Sequence, residues 1–97
     1  MDRVIYLNNL YDSYKELFTD KQRMYFEDYY WNNLSLGEIA SNYDISRNAV
    51  HNQLKIMEEK LEELENSLNL CKKREEIISL INGKIDDDLL ERIKNLL

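Results

Sequence analysis

Proline is absent from this 97-residue chain, and glycine occurs only twice, at Gly37 and Gly83. These two residue types supply most tight turns and interrupt most helices, so a chain nearly without them favours long helices with short connections. Almost no segment alternates apolar and polar residues for long enough to form a half-buried strand. The sequence therefore predicts an all-α fold, and its length suits one domain with a single modest core.

Targeting, membrane and redox signals are weak throughout the chain. No apolar run approaches the roughly 18 residues that a membrane-spanning helix needs, and the start, "MDRVIYLNNLYDSY", lacks the apolar core of a signal peptide. Cys71 is the only cysteine, which excludes an internal disulfide, and nothing groups it with His51 as a metal site. We expect a cytoplasmic protein without membrane insertion, metal or other cofactor.

Catalytic signals are also weak. The chain has no glycine-rich phosphate loop, and a single histidine provides little for acid–base chemistry. The many carboxylates of the second half of the chain are predicted to line a solvated helix face: Glu58, Glu59, Glu62, Glu63 and Glu65. We expect a protein that is not an enzyme.

Apolar spacing and capping signals place the first two helices. A helix is predicted over about residues 4–17, because apolar residues recur every three or four positions. Thr19 and Gln22 form a capping box that begins a second helix, and the asparagines at 32–33 end it, since asparagine tolerates left-handed backbone. The predicted apolar faces consist of Val4, Leu7, Tyr11, Tyr14 and Phe18 in the first helix, and Tyr25, Phe26, Tyr29 and Tyr30 in the second.

Similar signals organise the rest of the chain. Ser35 and Glu38 form a second capping box, and Ser46 caps a fourth helix whose apolar pattern continues to about Leu70 or beyond. Two C-terminal helices follow. The first, containing "REEIISLIN", ends at Gly83, and the second begins with the acidic residues of "DDDLLERIKNLL".

The third and fourth helices have the residues of a helix-turn-helix corner. Ala40 is small enough for the crossing of the two helices, and Asp44 occupies the turn position that glycine usually fills. Ile45 and Val50 are placed to hold the two helices together. We predict a helix-turn-helix core over about residues 19–56, followed by the long helix and the C-terminal helices over about residues 57–97.

The stretch "LSLGEIASNYDISRNAVHNQLKIMEEKL" resembles the C-terminal region 4 of sigma factors, whose "LS.EEIA…GIS…V…L" pattern binds promoter DNA. Together with the preceding "FTDKQRMYFEDYYWNNLSL", it is more similar to the YlxM family of small bacterial helix-turn-helix proteins. The resemblance covers nearly the whole chain and is most specific between Thr19 and Leu64. Genes of that family lie beside the gene for the signal recognition particle GTPase, so the resemblance implies a regulatory role linked to that pathway.

The first turns of a recognition helix enter the major groove, so they hold the candidate nucleic-acid contacts. Arginine reads guanine, asparagine reads adenine, and lysine meets phosphates. The candidates are Ser46, Arg47, Asn48, His51, Asn52 and Lys55. Each of these is also an ordinary surface residue type, and the net charge of −6 favours the alternative of a protein-interaction module in the signal recognition particle pathway. Both hypotheses stay open at this point.

A heptad pattern runs along the fourth helix through Val50, Leu54, Met57, Leu61, Leu64, Leu68 and Cys71. The pattern fits either a seam within the core of the chain or a coiled coil with a second copy. Because paired half-sites suit a dimeric helix-turn-helix protein, we favour a homodimer. Its predicted contacts are Met57, Leu61, Leu64 and Leu68.

Seven tyrosines and Trp31 raise the alternative of base stacking, as in proteins that bind single strands. Their spacing on the first two helices instead favours aromatic core residues with hydroxyl groups at the surface. Cys71 continues the apolar pattern, so we expect a buried thiol without a redox role.

Overall fold

The computed structural model describes residues 2–97, and every regular element in that range is helical. Six α-helices span Arg3–Tyr14 (α1), Asp20–Tyr30 (α2), Leu36–Tyr43 (α3), Arg47–Leu68 (α4), Leu70–Ile81 (α5) and Asp87–Leu96 (α6). A short 3-10 helix, Lys15–Leu17, follows α1, so the first α-helix is shorter than predicted. The all-α prediction is confirmed. Within this range none of the helices combines the length and apolarity needed to cross a bilayer.

The predicted helix starts are confirmed in detail. The Thr19 and Ser35 hydroxyl oxygens each accept a hydrogen bond from the amide three residues later, at 3.1 Å, and the Gln22 and Glu38 side chains return the bond to the cap. These reciprocal bonds satisfy amides that a helix start leaves without intrahelical partners.

Left-handed backbone ends several of the helices. Asn33 has φ 59° after α2, and Gly83 has φ 76° after α5, both as the sequence predicts. Asn69 also has positive φ, 54°, and it interrupts the predicted continuous helix between Leu68 and Leu70. The single residue Asn69 therefore separates α4 from α5.

The main core lies among α1, α2, α3 and α4, with α5 against α1 and α4, and α6 against α5. Fully burying a large apolar side chain is worth about 1.5–3 kcal/mol, so this cluster supplies most of the stabilisation. Its side chains with under 2% exposure are Leu7, Leu10, Tyr11, Tyr14, Phe26, Ile39, Val50, Met57 and Leu61. The molecule is elongated and measures 51 × 26 × 24 Å.

The apolar residues of the heptad pattern in α4 pack mainly in the core of the chain itself. Met57 and Leu61 have no exposed surface, and Leu64 is half-buried against the same core. Leu68 is 45% exposed, and Cys71 belongs to α5. The prediction of a continuous seam through Cys71 is therefore wrong. Met57 and Leu61 are also unavailable as dimer contacts in this fold, because α4 turns them toward its own neighbours.

The sequence predicts tyrosine hydroxyl groups at the surface. Four of them instead donate hydrogen bonds to carboxylates on other helices. Each bond gives a phenol a charged acceptor, which makes it stronger than a bond between neutral groups. The pairs are Tyr11–Glu27 at 2.6 Å, Tyr14–Glu65 at 2.7 Å, Tyr43–Asp28 at 2.7 Å, and Tyr30–Glu58.

The aromatic rings range from fully buried to exposed. Tyr11 stacks on Phe26 with ring centroids 4.1 Å apart, which supports the core interpretation. Tyr29 and Trp31 are exposed, in contrast to the prediction, although the Trp31 indole N–H donates to Asn8 at 2.7 Å. The aromatic cluster is therefore mainly a packing feature.

Glu65 is buried, so its assignment to a solvated face is wrong. Its carboxylate accepts hydrogen bonds from the Tyr14 hydroxyl at 2.7 Å, the Cys71 amide at 3.1 Å and the Lys72 amide at 3.0 Å. The Tyr14 oxygen in turn accepts from the Leu70 amide at 3.1 Å. Since the first amides of a helix lack intrahelical acceptors, Glu65 and Tyr14 together cap the start of α5.

Candidate nucleic-acid interface

The corner between α3 and α4 has the geometry that its residues predict. Asp44 adopts left-handed backbone with φ 54° and ψ 46°, and the Ile45 amide donates to the Ala40 carbonyl at 3.0 Å. Ala40 is 6% exposed at the crossing, while Ile39 and Val50 are fully buried. A short polar residue thus replaces glycine at the turn, since aspartate adopts this conformation more readily than most residues.

Ser46 begins α4 at this corner. Its hydroxyl oxygen accepts a hydrogen bond from the Ala49 amide at 3.0 Å, which occupies the side chain as a helix cap. The amides of Arg47 and Asn48 precede the first intrahelical bond, so they have no acceptor inside the helix. Together with the helix dipole, these amides favour an anion at the start of α4.

The candidate side chains of α4 share an exposed surface, defined here as the recognition face. All six candidates are exposed: Ser46, Arg47, Asn48, His51, Asn52 and Lys55. Within residues 2–97, neither Arg47 nor Lys55 forms an ion pair. All six predicted side chains are therefore accessible to solvent at the start of α4.

Charge changes along α4 beyond Lys55. Glu58 and Glu62 are half-buried and bonded to neighbouring helices, whereas Glu59 and Glu63 are exposed. The Glu62 carboxylate pairs with Arg3 of α1 at 2.9 Å. The first turns of the helix therefore have a polar and basic surface, and the later turns have an acidic one.

A shallow depression borders the recognition face between α2, α3 and α4, with a volume of about 330 Å³. His51 and Lys55 line one side, and Tyr29 and Leu36 lie across from them. Its wall combines cationic, aromatic and aliphatic groups with the Glu58 carboxylate. The depression gives the recognition face a concave edge.

Two hydrogen bonds from tyrosine hydroxyl groups hold α3 and α4 in position against α2. The Tyr43 hydroxyl of α3 donates to Asp28, and this bond together with burial raises the pKa of Tyr43 to about 12. The Tyr30 hydroxyl donates to Glu58 of α4, and the pKa of Tyr30 is raised by burial and by this bond. Both phenols therefore stay protonated donors at neutral pH. Sequence reasoning missed these pairs because their partners are distant along the chain.

A short helix, a turn at Asp44 and a longer helix with an exposed polar start define a helix-turn-helix protein. The family model described as "Putative helix-turn-helix protein, YlxM / p13 like" matches residues 1–96. The chain belongs to this family, UPF0122, as its resemblance to YlxM proteins predicts.

Relatives of similar length support the same assignment. UPF0122 protein BH2485 of Halalkalibacterium halodurans is 42% identical over 89 residues, covering 89% of this chain and 82% of the relative. UPF0122 protein TTE1463 of Caldanaerobacter subterraneus subsp. tengcongensis is 48% identical over 80 residues, covering 82% and 68%. UPF0122 protein Lm4b_01818 of Listeria monocytogenes serotype 4b is 37% identical over 102 residues, covering 93% of each chain.

Proposed function

We propose that this protein is a DNA-binding regulator that inserts the first turns of α4 into the major groove. The observation that supports the proposal is the recognition face itself. Its basic side chains are exposed and, within residues 2–97, have no ionic partner. The proposed contact residues are Ser46, Arg47, Asn48, His51, Asn52 and Lys55.

Each contact has a chemical role in this proposal. Arg47 reads guanine through two parallel hydrogen bonds, while Asn48 and Asn52 read adenine through their amide groups. Lys55 meets the phosphate backbone as a point charge. The free amides at the start of α4 add a further phosphate contact, because the helix N-terminus attracts anions.

The net charge of −6 limits how strongly the protein attracts DNA without sequence preference. Much of the acidic charge lies away from the corner, on the later turns of α4 and at the start of α6. Binding is therefore expected to be modest in affinity and sensitive to salt. Selectivity then depends on the base contacts of a few side chains.

The test measures fluorescence anisotropy with duplexes selected from a random-sequence pool, at about 50 and 200 mM salt. Arg47→Ala is expected to weaken binding to the selected site by about 1–3 kcal/mol, because it removes a base contact. Lys55→Ala is expected to weaken binding to all duplexes alike and to lower the salt slope by about one.

Lys60→Ala is the matched control, since Lys60 is exposed on the same helix beyond the recognition face. It is expected to bind DNA like the unmodified protein. Absence of measurable binding at the lower salt concentration would refute the DNA proposal, because even a few phosphate contacts give affinity there.

A second candidate function is a protein-interaction module of the signal recognition particle pathway. The acidic net charge supports it, as does the gene neighbourhood that resemblance to YlxM proteins implies. In this case Arg47, Asn48 and Lys55 face a protein partner. A binding assay between the purified protein and the signal recognition particle GTPase, with Arg47→Ala as the variant, separates the two functions.

A further inference from the structure

A second concave surface lies between α1, α5 and α6, so both ends of the sequence contribute to it. We refer to it as the α1–α5–α6 groove, and its volume is about 710 Å³. It shares no lining residue with the recognition face. Residues from α1, the 3-10 helix after it, α5 and the end of α6 line it, including Asp12, Lys15, Leu70, Arg74, Ile77 and Leu96.

The groove has an apolar component that its own chain leaves partly uncovered. Leu70 is 48% exposed, Ile77 is 40% exposed and Leu96 is 87% exposed. These three side chains of α5 and α6 line one groove, and we refer to them as the apolar strip. Isolated exposed leucines are common on any protein, whereas several in one groove are typical of a binding surface. The strip is suited to the apolar face of an amphipathic helix.

The charge around this strip is opposite to that of the whole chain. Four cationic residues and two carboxylates line the groove in a protein of net charge −6: Lys15, Lys73, Arg74 and Lys94 against Asp12 and Glu75. Within residues 2–97, Lys94 pairs with Glu91 at 3.5 Å, while the other three cations form no ion pair. A local cationic excess beside apolar surface favours an acidic ligand.

We propose that the α1–α5–α6 groove binds an acidic amphipathic helix of a partner protein. The acidic surface on the later turns of α4 does not supply such a helix from a second copy, because its apolar residues Met57 and Leu61 are buried. Nucleic acid is also a poorer fit, since the apolar strip offers nothing to phosphates and Asp12 and Glu75 repel them. The proposal does not depend on DNA binding by α4.

The test uses three labelled synthetic peptides of about 18 residues, long enough for about five helical turns. The first places leucine at helical spacing with glutamate and alanine elsewhere. The second replaces glutamate with lysine, and the third replaces leucine with serine. The first peptide is expected to bind at least about tenfold more tightly than either counterpart, because it alone matches both the charge and the apolar strip.

Charge reversal in the groove supplies the variant. Lys73→Glu combined with Arg74→Glu is expected to weaken binding of the acidic peptide at least about tenfold. Both side chains are exposed and lie near the start of α5, where acidic residues suit the helix dipole, so the variant is expected to fold. The control combines Lys21→Glu with Lys60→Glu, two exposed lysines outside the groove that give the same change of net charge.

Equal binding of the acidic and basic peptides, or undiminished binding of the acidic peptide to the groove variant, would overturn the proposal. Failure of the acidic peptide to bind would also overturn it. If the groove variant instead loses affinity for duplex DNA, the groove is a nucleic-acid surface and the peptide proposal is wrong. Arg47→Ala is expected to leave peptide binding unchanged. The DNA-binding proposal and the peptide-binding proposal can therefore be refuted independently of each other.

Discussion

Replacing Glu65 with alanine should destabilise the protein far more than any other carboxylate substitution on α4. The change leaves two buried donors, the Tyr14 hydroxyl and the Cys71 amide, without their acceptor and removes the cap at Lys72. Each unpaired buried donor costs about 1–3 kcal/mol, and loss of a helix cap costs about 0.5–2 kcal/mol. Because these contributions overlap, we expect a loss of about 3–5 kcal/mol, a large part of the 5–15 kcal/mol typical of a small domain.

Urea unfolding followed by far-UV circular dichroism measures this loss. Glu63→Ala is the matched control, since Glu63 is exposed on the same helix, and it is expected to change stability by under about 0.5 kcal/mol. Glu65→Gln keeps one carbonyl oxygen, which can still serve Tyr14 and Cys71 but not Lys72, so it should cost about 1–2 kcal/mol. If Glu65→Ala were as stable as Glu63→Ala, the carboxylate would not hold the junction of α4 and α5, and this reasoning would be refuted.

Three further perturbations test other parts of the fold. Ala40→Leu should overpack the helix crossing and cost about 1–3 kcal/mol, so an unchanged melting temperature would contradict that placement. Leu61→Asp should unfold the chain, whereas Leu68→Asp should leave it folded; light scattering then shows whether the exposed end of α4 contributes to a homodimer. Tyr43 keeps its proton to about pH 12 in the folded chain, while an unfolded tyrosine titrates near pH 10. Stability should therefore fall as pH rises from about 10 to 12, and a urea midpoint constant over that range would contradict the hydrogen bond from Tyr43 to Asp28.

Local signals were enough to predict most of the fold. Ser35 and Glu38 lie within one helical turn of each other, so their reciprocal bonds depend on nearby residues alone. The same holds for the turn at Asp44 and for the exposure of the recognition face, which follows from the position of Val50 on the opposite side of α4. These features depend on residues close together in the sequence, so they can be predicted without knowledge of the tertiary fold.

Long-range partners account for the wrong predictions. A heptad spacing does not distinguish a core seam from a dimer seam, because Leu61 buries the same surface against either. Glu65 follows Leu61 by four residues and so lies on the buried side of α4, whereas Glu63 lies on the exposed side. Its hydrogen-bond donors, Tyr14 and the start of α5, are supplied by other helices and could not be predicted from this spacing. A signal for the start of α5 does exist in the sequence: Asn69 breaks the helix by the same left-handed backbone as Asn33.

The tyrosine–carboxylate bonds also determine how far α4 can slide. A helix packed only through apolar side chains can slide along its axis by one turn, about 5.4 Å, because each leucine then takes the place of the next one against the neighbouring helix. The bonds from Tyr30 to Glu58 and from Tyr14 to Glu65 hold α4 at two points about two turns apart, and both would break in such a shift. Since Tyr30 lies on α2 and Tyr14 on α1, the helix is also fixed against rotation about its axis. A ligand of the exposed side of α4 therefore meets a helix backbone already in position, and binding has to order only the side chains that the ligand contacts.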